Sequence, residues 1–275
     1  VAAFASDTGI TELTIREPEV SGFVNFGLEP NIDGHGLIGL FPPDLSGYHD
    51  GARVPLATGV ALVRAMLRDN GAWCRLESDD RFFVHVGYDQ YMYIGSAEPC
   101  HDAVAHVRTL GLFPKLVDRS PWDPYFNELE EPRPADDEFW AELARLAAER
   151  GTVILEEQHV GNASRWHRLR SADTPAVRAG LTPRARLMIW PELNEDVVAE
   201  LRTLDDRDLV TVVWEDRDGR ITNFWADGED RPAIAVRLVK AKSALVISGY
   251  EDEYDPLLTA VLPDDDGVVR VRRSV

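Results

Sequence analysis

The sequence predicts an α+β protein of two similar halves, each with antiparallel strands packed against helices, and three observations predict it. Runs with apolar residues at helical spacing are interleaved with short aromatic and β-branched runs bounded by Gly and Asp. Two tight turns late in the chain, Asp216 to Gly219 and Asp264 to Gly267, join neighbouring strand-like runs, which favours hairpins over a parallel βαβ sheet. The stretches His101 to Leu110 (HDAVAHVRTL) and Glu195 to Leu204 (EDVVAELRTL) are identical at six of ten positions, the mark of an internal duplication.

Taken in order, Leu13, Ile15, Val20, Phe23, Val24 and Phe26 predict short strands broken by turns, with Gly34 and Gly36 at the next bend. Pro42-Pro43 and the Gly47 to Gly51 cluster read as a loop. Val60 to Leu67 is a helix that stops at Asn70-Gly71. Trp73 to Leu76, Phe82 to Val86 and Tyr91 to Ile94 then predict a β-meander. Pro99 suits the start of a further helix, Asp102 complements its positive end, and Val104, Val107 and Leu110 share a face before Gly111. A strand over Phe113 to Val117 is expected next.

Residues 121–135 hold four prolines with Glu128, Glu130 and Glu131, a linker composition that separates domains at 1–120 and 136–275. In the second half Asp136 or Asp137 caps a helix carrying Phe139, Trp140, Leu143 and Leu146, which ends at Gly151 before a strand from Thr152. Strands follow at Arg186 to Trp190, Leu209 to Trp214 and Ile221 to Trp225, with a last hairpin from Leu257 to Leu262 and Val268 to Val271.

Composition bounds the function. The chain has 275 residues, 44% of them hydrophobic, enough for substantial cores. Its formal charge is 29 − 48 = −19, which repels phosphate backbones and excludes nucleic acid as the expected partner, while attracting basic proteins. Cys74 and Cys100 form neither a disulfide framework nor a zinc pair. No cofactor motif is present. The absence of an apolar span and of a leader-like start points to a cytoplasmic protein without membrane contact.

The candidate chemistry is thin. Cys100, before a predicted helix with His101 and His106, is the sharpest nucleophile candidate, against the commoner reading of a packed thiol. Asp102 and His106, four apart, suggest half a metal site with His85 and Asp89, against a surface ion pair. No metal-binding motif supports that site, so none is assigned. His159, His167, Arg165, Arg168 and Arg170 form a local basic stretch suited to an anion, or to pairing with nearby acids. Tyr91 and Tyr93 share a strand face and read as groove lining or packing. Tyr250, Glu251, Asp252, Glu253, Tyr254 and Asp255 join four carboxylates to two aromatic anchors and are the candidate partner-binding surface. The sequence therefore favours a non-enzymatic acidic module that binds a basic protein, in the manner of an inhibitor or immunity protein. The alternative is a hydrolase or transferase with its site between the halves.

Overall fold

A strand with one apolar face must bury it, and in this chain each sheet finds helices or another sheet to do so. The computed structural model describes residues 1–21, 36–79, 81–87, 90–121, 132–204, 209–250 and 253–270. The first elements are α1 (Ala2–Thr8), β1 (Glu12–Val20), β2 (Arg53–Pro55), α2 (Leu56–Leu67), β3 (Ala72–Ser78), β4 (Phe82–Val86), β5 (Met92–Ser96) and α3 (His101–Thr109). Then come α4 (Asp137–Arg150), β6 (Val153–Val160), β7 (Ala163–Leu169), α5 (Thr174–Gly180) and β8 (Arg186–Trp190). The last are α6 (Val197–Arg202), β9 (Leu209–Glu215), β10 (Ile221–Asp227), α7 (Arg231–Arg237), β11 (Ser243–Ser248) and β12 (Leu258–Val261).

The strands form three sheets, ordered β2-β1-β3-β4-β5, β12-β8-β6-β7 and β10-β9-β11, and every pairing between these strands is antiparallel. The protein is α+β. Within the sheets one unit recurs three times: a helix, two paired strands, a second helix, and a third strand that returns to the other side of the first. It comprises α1-β1-β2-α2-β3, then α4-β6-β7-α5-β8, then α6-β9-β10-α7-β11. The recurrence is thus threefold among the described elements, and a division into two like halves is not what the topology displays. The sequence-matched helices α3 and α6 have unlike surroundings, because α6 leads into a central strand and α3 does not.

Local chemistry explains the best-formed unit. The Asp136 side chain accepts a hydrogen bond from Phe139 N (3.0 Å) and so caps α4, a contact worth about 1 kcal/mol. Phe139, Trp140, Leu143 and Ala147 then fall on one buried face against Val153, Leu155, Leu187 and Ile189. The opposite face of the same sheet, with Ile154, Met188 and Trp190, packs on Val213 and Ile247 of the third sheet. Covered on both sides, β6 is buried at all eight residues, Glu156, Glu157, Gln158 and His159 included. The first sheet meets the second where Glu19 and Gly161 bridge in parallel; a Cβ on Gly161 would lie 2.5 Å from Glu19 Cγ.

Several expectations change. The opening segment is one long strand, β1, not several; it bends at Glu17, whose φ of 48° accompanies a register shift between Arg16 and Glu19. Phe23, Val24, Phe26 and Gly34 lie outside the described residues. Phe113 to Val117 forms no strand and stands in solvent, because no sheet edge meets it. The last hairpin forms no ladder among the described residues: β12 pairs with β8, Val268 makes turn bonds with Asp264 N and Asp266 Oδ1, and Val271 lies outside them. Most of the linker segment lies outside the described residues, but its end is built into the second unit. Ala135 is buried, and its N–H bonds to Val261 O.

Candidate functional site

The nucleophile candidates do not converge. Cys100 is the buried N-cap residue of α3, and its thiol donates to Glu98 O (3.4 Å). His101, Asp102 and His106 project from the same helix into solvent. Cys74 is wholly buried, and burial pushes its thiol pKa up to about 12, so it is inert. His85, proposed beside Asp102 and His106, instead lies buried on β4 with Nδ1 2.9 Å from Ser120 Oγ; Asp89 lies outside the described residues. Among the described residues no three His, Cys, Asp or Glu side chains are grouped to hold a metal ion.

Ser120, His85 and Glu77 follow one another in the order of a hydrolytic triad, yet the geometry is closed. Ser120 is 2% exposed, Phe83 stacks on the imidazole at 4.4 Å, and the His85 Nε2 to Glu77 Oε1 distance of 3.9 Å is too long for a hydrogen bond. A nucleophile needs room for a carbonyl beside it, and this serine has none. The cavity between α4 and α5, about 580 Å³ and open to solvent, is lined by Trp140, Ala144, Thr174, Pro175 and Arg178. Its one charged lining group is already engaged: Arg178 lies over the Trp140 ring and binds Asp137 at 2.9 Å.

The basic stretch of β7 is spent on internal acids. His167 Nε2 meets Glu157 Oε2 at 2.9 Å, and Arg165 donates to Thr182 Oγ1 and Asp44 O. Burial pushes the Glu157 carboxyl up, but the bonds from His167 and Thr182 outweigh this and hold it below its ordinary value. Arg168 binds Glu192 and forks onto Glu215 (2.8 and 3.0 Å), which also accepts from Ser243 and Lys242. That guanidinium holds the Glu215 pKa at about 2. Of the predicted basic stretch, His159 is buried on β6 and Arg170 stands exposed beyond the end of β7.

A second ionic seam joins the first unit to the chain's end. Asp50, 2% exposed, accepts from Arg16 (2.9 Å), Arg184 (3.2 Å) and the N–H of Glu17 (2.8 Å), holding the strand at its bend. Arg184 also forks onto Asp264 (2.7 and 2.9 Å), which Arg270 binds from the other side. Arg16 reaches Arg270 O, and Arg75, 1% exposed, meets Glu17 at 2.6 Å. Asp50, Arg184 and Asp264 were invisible as a group in the sequence, since they lie 134 and 80 positions apart and no local pattern links them.

The acidic docking candidates divide. Tyr254 is half-buried, edge-on to Trp190 at 5.7 Å, and Glu253 accepts from Ser248 Oγ (2.6 Å), so both belong partly to the fold. Glu251 and Asp252 lie outside the described residues. Tyr250 and Asp255 are exposed. The strand register adds a group the sequence did not join to them. Asp227 pairs opposite Leu209 on one side of β9, and Gly249 N bonds Leu209 O on the other. The Asp227 to Asp230 turn and Tyr250 therefore rise from the same end of the third sheet, about 10 Å apart across two strand spacings. Asp227 accepts from Glu229 N, and Asp230 caps α7 through Ala233 N, contacts that leave their charges uncancelled.

Comparison with family models, with curated proteins and with solved structures found no match for this chain.

Among the described residues no helix is long and apolar enough to cross a membrane.

Proposed function

We propose that the chain is a non-enzymatic binding module whose acidic surface engages a basic protein, in the manner of an inhibitor or immunity protein. One observation carries this reading: four arginines are spent on internal carboxylates while many of the acids are left outside. Arg16, Arg75, Arg168 and Arg184 are held by internal carboxylates, each pair cancelling one charge of either sign. The formal charge of −19 therefore falls on the remaining surface, where Asp216, Asp218, Asp227, Glu229, Asp230 and Asp255 occupy turns and strand ends. Such a field steers an oppositely charged partner and accelerates encounter. Tyr250, 45% exposed beside the acidic turn, supplies the rigid aromatic anchor that binding centres favour.

Affinity capture from the native extract tests this, with elution by a salt gradient and mass spectrometry of what is released. Recovery of one basic protein in stoichiometric amount, released as salt rises, is the expected result. A partner that is acidic, or one whose retention ignores salt, would refute the electrostatic reading.

A further inference from the structure

The segment after α3 has the residues of a strand but forms none. Leu110, Leu112, Phe113, Leu116 and Val117 are 63%, 55%, 95%, 96% and 48% exposed, a contiguous apolar surface of the kind that soluble proteins reserve for contacts. Its launch is well defined. Asp7 of α1 accepts from Ala103 N (2.9 Å) and moors α3, while Gly111 at φ 75° ends the helix with Leu112 N bonded to Val107 O. After α1, α4 and α6 the chain enters an inner strand of its sheet. Among the described helices, α3, whose stretch matches that of α6 at six of ten positions, instead runs on through strand-like residues that meet no described strand.

The same molecule carries an edge to match. β5 ends its sheet with no described strand on its outer side; Met92, Tyr93 and Ile94 are half-buried, and Tyr91 is 67% exposed. Such an edge is a template for another chain's strand. Pro114 is compatible with an added outer strand, where one missing N–H is tolerated. Charge selects the occupant. Lys115 and Arg119 against Asp118 make this segment net basic in a chain of −19, while in the loops that flank β4 and β5 the exposed Asp79 and Glu98 outnumber Arg81. A basic partner would be repelled by it. We propose that Leu112 to Val117 adds to the outer edge of β5 in a second copy of this chain, and reciprocally, giving a two-fold symmetric dimer.

Sedimentation equilibrium of the full chain tests this. Twice the chain mass is expected at micromolar concentration, and Phe113→Asp with Leu116→Asp should raise the dissociation constant at least about 100-fold, since two large apolar side chains leave the interface. Both substitutions lie in solvent in the single chain, so an unchanged thermal midpoint at low concentration serves as the folding control. Mixing Lys115→Cys chains with Tyr91→Cys chains should give a disulfide between copies under mild oxidation. A wild-type monomer, a dimer indifferent to the Phe113 and Leu116 substitutions, or a dimer lacking that disulfide each overturns the proposal. Capture of a basic protein by the monomeric variant is read separately, so this inference and the acidic docking surface can fail independently.

Discussion

Two populations of carboxylates occupy this molecule, and they differ in what answers them. In the seams, Asp50 and Asp264 each meet two guanidinium groups, and Glu215 meets Arg168, Lys242 and Ser243. At the Leu209 end of the third sheet, Asp227 and Asp230 meet backbone N–H groups and Asp255 stands in solvent. Net charge counts both populations alike. The difference teaches that acidity here has two uses, one holding sheets together and one presenting an uncancelled field.

The comparison breaks most forcefully at Asp50. Asp50→Ala takes the shared carboxylate from Arg16 and Arg184, whose side chains are 10% and 17% exposed; Arg184 keeps Asp264, but Arg16 is left with Arg270 O and Glu77 at 3.8 Å, and removal of one partner from a buried pair costs about 3–5 kcal/mol. Urea unfolding of the variant should show that loss. A change below about 1 kcal/mol, the usual range for exposed pairs, would place the seam with surface ion pairs instead.

A smaller effect appears with pH. The folded pKa of Glu215, held at about 2 by Arg168, lies below its unfolded value of about 4.3, so its contribution is full above that value and is lost as pH falls toward 2. Asp264, lowered by Arg184, acts in the same direction. Glu17 acts in the opposite one: burial raises its pKa despite Arg75, so its contribution is present in acid and lost as pH rises through the folded value. Stability should therefore fall between about pH 4.3 and 2, and Glu215→Gln should flatten that fall. An equally steep acid limb in the variant would assign the transition to other carboxylates.

The Asp136 cap, the Gly151 stop and the β3-β4-β5 meander were legible in the sequence because they depend on neighbours, whereas the short helices α1, α5 and α7 were not read at all. The hairpin β9-β10 was legible for the same reason. What failed was non-local. Phe113 to Val117 has the residues of a strand, but strand formation needs an edge, and none lies beside it among the described residues. The threefold unit was hidden because its strands differ in sequence while sharing an order, and the one matching decapeptide fell on helices with unlike surroundings. Of the proposed docking surface, Tyr250 and Asp255 could be named from the sequence, whereas the Asp227 turn joins them only through the register of β9 with both neighbours. The arginine seams could not be read at all, since Arg184 and Asp50 are brought together by the packing of two sheets.

The smallest effect on the fold should come at the acidic end of the third sheet, where the functional effect should be largest. Asp227→Asn and Asp230→Asn keep side chains that accept from Glu229 N and Ala233 N, because Asn caps as well as Asp, and Glu229→Gln with Asp255→Asn remove two exposed charges. The combined variant should unfold at the wild-type midpoint. Its association with the captured basic partner should slow by about tenfold at low salt, with a shallower dependence on ionic strength, because steering and not packing has been removed. A lowered midpoint would move these acids into the holding population. Unchanged association with an unchanged midpoint would leave the field to other surface carboxylates, and the turns Asp216 to Asp218 at the opposite end of β9 become the next to neutralise.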